Sequence, residues 1–162
     1  IDGSRAIKLE TKSTGQFGET VKMPIAAGNL FLGSFDVNNA VQKPLKATRF
    51  GLPFGKKPLQ LKGYYKYTPG TQPFKAKDKN GNTVTIPGQE DEGDIYAVLY
   101  EAAERDPSDD GTAPYLSFSE KKMKNYEYNL AVVFTSSKYG AYFAGSVGST
   151  LCIDKVEIVC EK

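Results

Sequence analysis

The sequence has no histidine and no tryptophan, and only two cysteines in 162 residues. Without histidine it lacks the side chain whose ordinary charge change falls between pH 5 and 8. Ser–His–Asp and Cys–His nucleophile schemes are therefore excluded, with every His-based proton shuttle. Nor does a zinc centre have anything to build on, since no CxxC pair accompanies the missing histidine. Charge of one sign is also scarce. A net charge of +2 creates no steering field and argues against nucleic acid as a partner. Long hydrophobic runs are absent. The longest, Leu130 to Phe134, suits a buried strand, whereas a membrane-spanning helix needs about 20 apolar residues.

Cys152 and Cys160 lie eight residues apart. On one extended strand their Cα atoms would be about 26 Å apart, at roughly 3.3 Å per residue. A disulfide needs less than about 7 Å. The two are expected to remain unbonded, as small residues packed in apolar surroundings. The chain starts at Ile1 with neither an initiator Met nor a signal sequence. It reads as a processed or excised piece of a longer polypeptide. The expected organisation is a linker remnant over residues 1–5 and a single domain over 6–162, which is enough chain to bury roughly two-thirds of its unfolded surface.

What is present is a series of short, turn-punctuated strands. Ala6 to Thr11 alternates, with Ile7 and Leu9 on one face. Gly28 to Phe35, Lys46 to Phe50 and Leu59 to Tyr67 follow, the last closed by Pro69-Gly70. Phe74 to Ile86 reads as a hairpin with Asn80-Gly81 at its tip, the pair favoured in a type I′ turn. Asp94 to Glu101 is a further strand, running into a short helical turn at Ala102 to Asp106 and an exposed loop at Pro107 to Gly111. Tyr126 to Phe134 alternates strongly, with Tyr128, Leu130, Val132 and Phe134 on one side. Leu151 to Cys160 changes phase at Asp154-Lys155, where a β-bulge would reconcile its two halves. Eight or nine strands and no long helix predict an all-β, two-sheet antiparallel β-sandwich. Its inner faces should include Ile7, Leu9, Phe31, Leu99, Leu130, Val132 and Phe134.

Four segments occur in order: GNLFLGSF (Gly28 to Phe35), RFGLPF (Arg49 to Phe54), KPLQLKGYYKYTPG (Lys57 to Gly70) and SSKYGAYFAGSVGSTLCIDKVEI (Ser136 to Ile158). Together they resemble the putative carbohydrate metabolism domain family over roughly Ala6 to Glu161. The resemblance implies a jelly-roll sandwich like that of carbohydrate-binding modules. It also implies an exported lipoprotein of a glycan-foraging Gram-negative gut anaerobe, at the outer-membrane surface or in the periplasm. The lipid anchor would lie in an N-terminal part preceding this chain. In similar jelly-roll modules an acidic residue near the terminal strand holds a structural calcium beside the first strand. Asp154 and Glu10 would be that pair here; the plainer reading has Asp154 bonding turn amides. No other cofactor is implied.

Two constellations carry chemistry. Glu90, Asp91, Glu92 and Asp94 form the densest acidic cluster, and glycoside hydrolysis needs two carboxylates at a defined separation. In a Gly- and Pro-flanked loop such acids are ordinarily solvated surface. The second is Gly63-Tyr64-Tyr65-Lys66-Tyr67. Strand alternation puts Tyr64 and Lys66 on one face and Tyr65 and Tyr67, with Leu61, on the other. The second set is more apolar and is expected inside, unless all three tyrosines simply pack. Tyr64 would then offer a ring to the C–H face of a sugar, and Lys66 three donors. Arg49, Tyr96, Tyr128 and Asn129 could extend such a face. The expectation is a non-catalytic, carbohydrate-binding or carbohydrate-associated module and not an enzyme. Its partner would be a glycan or another cell-surface protein. The alternative is a structural or adhesive protein-interaction domain.

Overall fold

The computed structural model describes residues 5–38, 47–101 and 127–162. The expected helical turn at Ala102 to Asp106, the loop at Pro107 to Gly111 and the start of the Tyr126 strand lie outside these residues. Among the described residues 53% are strand and 8% helix, so the chain is all-β.

The strands are β1 (Ile7–Glu10), β2 (Lys12–Ser13), β3 (Ile25–Ala26), β4 (Asn29–Phe31), β5 (Gly33–Phe35), β6 (Thr48–Phe50) and β7 (Leu52–Pro53). They continue with β8 (Pro58–Thr68), β9 (Phe74–Lys77), β10 (Thr83–Ile86), β11 (Asp94–Glu101), β12 (Tyr128–Thr135) and β13 (Thr150–Cys160). One sheet has the order β1-β13-β8, so the last strand lies between the first and the eighth. A second has the order β11-β12-β4, with β7 also paired to β12. Three two-stranded ribbons, β2-β3, β5-β6 and β9-β10, complete the described part. The sheets are antiparallel and none closes into a barrel, which is the β-sandwich class.

The described chain groups into two compact units. One draws on Ile1–Leu30, Gly63–Ile95 and Phe134–Val156, the other on Phe31–Lys62, Tyr96–Val133 and Glu157–Lys162. In the first, Leu9, Ile25, Phe74, Phe134, Leu151 and Ile153 are buried. In the second, Tyr128, Leu130, Val132 and Tyr100 are buried, and Phe31 meets Phe50 edge-on at 5.3 Å. Every residue of β12 except Asn129 is buried, on both faces. That is why its sequence runs apolar through Ala131 and Val133 as well as alternating.

Four local expectations need correction. Ile7 shares its face with Leu9 but is 51% exposed, whereas Leu9 is buried at 8%. Tyr65 was expected inside and is 67% exposed. The β9–β10 hairpin does not use a type I′ turn. Gly81 has φ +75°, but Asn80 is not left-handed. Gly81 N–H donates to Asp78 O, and Asp78 N–H to Asn82 O, both at 2.9 Å. This is a three-residue loop: a type I turn followed by a left-handed glycine bulge. The phase change on β13 falls where expected, at Lys155 with φ +49°. Beyond it, however, Val156 is 44% exposed and Ile158 and Cys160 are half-buried, so only the first half faces a full core. The free thiols of Cys152 and Cys160 both sit on this strand.

A short helix, α1 (Gly15–Thr20), was not foreseen. Its sequence GQFGET has no apolar period, and Phe17 stands 72% exposed upon it.

Candidate functional site

Tyr64, Tyr65 and Lys66 occupy the middle of β8, an edge strand of its sheet among the described residues. Residues 62 to 66 are exposed without interruption, Tyr64 at 61%. Alternation still sends Tyr64 and Lys66 to one face and Tyr65 to the other. Both faces of this stretch are open, so Tyr65 has no interior to enter. Tyr67 does turn inward: it is half-buried, and its hydroxyl donates to Ser136 O at 3.3 Å. Burial pushes its phenol above the ordinary value, and the nearby Asp91 carboxylate acts in the same direction.

Asp91 is the chief surprise of the same unit. It was expected as solvated surface and is 2% exposed. Its Oδ2 accepts from Ser137 Oγ at 2.6 Å, Ser149 Oγ at 2.7 Å and Ser146 N at 2.8 Å. Its Oδ1 accepts from Glu92 N at 2.9 Å. Two lines of donors run toward it. In one, Gly28 N–H donates to Ser136 Oγ, Thr11 Oγ1 links Ser136 to Ser137, and Ser137 donates to Asp91. In the other, Gly70 N–H donates to Ser149 Oγ, which donates to Asp91. Buried polar atoms are tolerable only when paired in this way. Gly145 lies so close that a Cβ there would meet Ser137 Oγ at 2.6 Å and Asp91 Oδ2 at 3.0 Å. Of the other acids of the cluster, Glu92 pairs with Lys138 at 3.3 Å, Asp94 Oδ1 accepts from Ile95 N, and Glu90 is exposed.

The network holds a loop that sequence reading passed over. Ser137 and Ser146 both donate to Asp91 Oδ2, so residues 138–145 leave and return at one atom. A 3-10 turn (Gly140–Tyr142) lies within it, and Tyr139 and Tyr142 stand 48% and 65% exposed. The available signal was the spacing of two tyrosines among glycines and serines, which has no strand period to display it.

Arg49, Tyr96, Asn129 and Tyr128 belong to the other unit. Arg49 is exposed on β6, opposite Ser34. Tyr96 is 39% exposed on β11, and half-buried Asn129 pairs with Pro53. Tyr128 must be withdrawn from any open face. It is 0% exposed, because it shares the inward parity of Leu130 and Val132.

The Asp154–Glu10 pair does not assemble either. On the β1–β13 ladder Glu10 lies opposite Thr150, whereas Asp154 follows Ile153, the partner of Ile7. Four strand residues separate the two, about 13 Å. Glu10 instead meets Lys8 at 3.3 Å and Lys12 at 3.7 Å, and the hydrogen bond from Lys8 holds its carboxyl below the ordinary value. Asp154 Oδ2 is buried without a hydrogen-bond partner, so Asp154 does not cap a turn with that oxygen. Among the described residues no cluster of three or more acidic or cysteine side chains could hold a metal ion.

Two solved structures are similar to this chain. One, described as a putative glycoside hydrolase from Bacteroides thetaiotaomicron, is 42% identical with a TM-score of 0.84, over 97% of this chain and 54% of that one. This chain thus spans about half the length of that protein. The other, described as a putative glycoside hydrolase from Bacteroides vulgatus, is 32% identical with a TM-score of 0.81, over 99% of this chain and 75% of that one. No curated protein matches. The model of the putative carbohydrate metabolism domain matches residues 1–117 and 112–159, and the chain belongs to that family.

Proposed function

We propose that this domain is a non-catalytic glycan-binding module, and that β8 supplies its contact surface through Tyr64 and Lys66. The observation that carries this reading is the uncovered middle of β8, where a 61% exposed tyrosine ring stands on the same face as a lysine. A phenol ring can cover the C–H face of a pyranose while its hydroxyl, and the lysine ammonium, bond the sugar hydroxyls. Tyr65, 67% exposed on the opposite face, lets a chain be met from either side of the edge.

Catalysis by this chain is disfavoured by what occupies several of its acids. Asp91 is enclosed and its Oδ2 is filled by three donors. Glu10, Glu19, Glu92 and Glu161 are committed to lysines, and Asp78 to a hairpin turn. The hydrolase names of the two similar structures favour a second reading, glycoside hydrolysis, but they describe longer proteins. The module would act outside the cytoplasm, at the cell surface or in the periplasm, as part of an exported protein.

Affinity electrophoresis through gels containing laminarin, amylopectin, galactomannan or arabinoxylan tests the proposal, with chromatography of each polysaccharide after incubation. Retarded migration without new reducing ends is expected. Chain shortening that Asp91→Asn or Asp94→Asn abolishes in a variant that remains folded would establish the hydrolase reading instead.

A further inference from the structure

The loop between Ser137 and Ser146 is built more rigidly than a connection requires. Its neck is closed on Asp91 Oδ2 from both sides. Just inside, Lys138 N–H donates to Glu92 O at 2.7 Å, and Gly145 exchanges two backbone bonds with Lys75 at 2.9 and 3.0 Å. Within the loop, Gly140 N–H donates to Ser137 O, Tyr142 and Ala144 N–H to Tyr139 O, and Phe143 N–H to Gly140 O. This is a compact surface loop with its ends together, a type that recurs at functional sites.

The aromatic residues on it are sorted. Phe143, left-handed at φ +58°, lies under the Lys77 ammonium at 4.6 Å. Tyr142 is 65% exposed, and Tyr139, 48% exposed, carries the Lys138 ammonium over its ring. They are three residues apart across one 3-10 turn, closed by Tyr142 N–H to Tyr139 O at 3.0 Å. A turn closed by that bond brings the Cα atoms of its first and fourth residues within about 7 Å, so the two phenols leave the backbone as near neighbours. The lysine beside Tyr139 is paired with a carboxylate. Lys138 Nζ lies 5.7 Å from the Tyr139 ring centre and 3.3 Å from Glu92 Oε2. A neutralised ammonium still donates hydrogen bonds but offers no net attraction to an anion.

We propose that Tyr139 and Tyr142 form a second glycan-contact element, a rigid aromatic strip that takes a neutral oligosaccharide segment. The inference rests on the glycan-binding reading above. The occupant is specified by three features: two neighbouring exposed phenols for stacking and hydroxyl bonding, a donor held beside them, and a compensated charge at Lys138. Lys138, beside Tyr139, is already paired with Glu92, so an acidic polysaccharide would find no unpaired ammonium at that position.

The test uses the same four polysaccharide gels, with polygalacturonate as a fifth, on wild type, Tyr64→Ala, Tyr142→Ala and the double variant Tyr139→Ala/Tyr142→Ala. The double variant should weaken the dissociation constant for the retarding neutral polysaccharide about tenfold, and Tyr142→Ala about threefold, as expected for losing aromatic contacts. Both side chains are exposed, and unchanged melting temperatures establish folding. If the double variant misfolds, Tyr142→Ala alone carries the comparison. Wild-type affinity in the folded double variant, with loss in Tyr64→Ala, overturns the second element and leaves the β8 surface standing. Loss in the double variant alone supports the strip and overturns β8. Tighter binding to polygalacturonate than to any neutral polymer overturns the neutral occupant. No retardation of wild type by any polymer overturns both.

Discussion

Replacing Asp91 with alanine should be among the most damaging single changes in this domain. The substitution removes three acceptor contacts from Oδ2 and one from Oδ1 at once. The Ser137 and Ser149 hydroxyls can rotate toward other acceptors. The Ser146 and Glu92 amides cannot, because each N–H is fixed by the backbone. A buried donor left unmet costs about 1–3 kcal/mol, and each bond to a charged acceptor contributes about 1.5–3 kcal/mol. With partial relaxation of the two hydroxyls, the loss should be about 3–5 kcal/mol. That is a fifth or more of the stability of an ordinary domain, about 5–15 kcal/mol. Asp91→Asn keeps one oxygen in the place of Oδ2 and should cost less, about 1–2 kcal/mol. Urea denaturation followed by tyrosine fluorescence measures both. Asp91→Ala within about 1 kcal/mol of wild type, or Asp91→Asn worse than Asp91→Ala, would refute the reasoning.

Asp78 is held below the ordinary carboxylate value, first by the Asn82 amide and then by that of Asn80. A depressed folded value means that its contribution is present above the unfolded value and lost as pH falls through the folded one. The β9–β10 turn should therefore loosen in acid, seen as movement of the Gly81 amide resonance between about pH 5 and about pH 2, and Asp78→Ala should abolish that movement. Tyr67 has the opposite sense. Its phenol is raised, mainly by burial, so its contribution is full below the ordinary phenol value and is lost as pH rises through the folded one. Tyr67→Phe should remove that alkaline component from a stability profile taken between about pH 8 and about pH 11.5, and an unaltered profile would contradict the assignment.

Features set by neighbours in sequence could be read in advance. The apolar run of β12, the hairpin over Phe74 to Ile86 and the kink at Lys155 each depend on a few adjacent residues. The turn type at Asn80-Gly81 was misread because a third loop residue changes the hairpin class, and dipeptide preference does not report loop length. Period 2 paired Tyr64 with Lys66, but no local pattern tells whether a face is covered, and Tyr65 therefore went to the wrong side of that judgement. For Tyr128, the shared parity with Leu130 and Val132 already pointed inward. Asp91 was out of reach for another reason. Its donors come from 46, 55 and 58 residues downstream, and Asp91 itself looks like any acid in a polar loop. Tyr139 and Tyr142 escaped notice because their proximity belongs to a 3-10 turn that only the closed loop creates.

The central claim is that an open tyrosine on β8 binds sugar, and calorimetric titration of wild type and Tyr64→Ala tests it most directly. The titrant is an oligosaccharide cut from whichever of the four neutral polysaccharides retards the wild type. Stacking plus one or two hydrogen bonds predicts a dissociation constant between about 1 μM and about 1 mM. Removing the ring should weaken it by about 1–2 kcal/mol, roughly five- to thirtyfold, with the oligosaccharide recovered intact. Equal affinity in a folded Tyr64→Ala variant, or an oligosaccharide shortened by the wild type, would contradict the account.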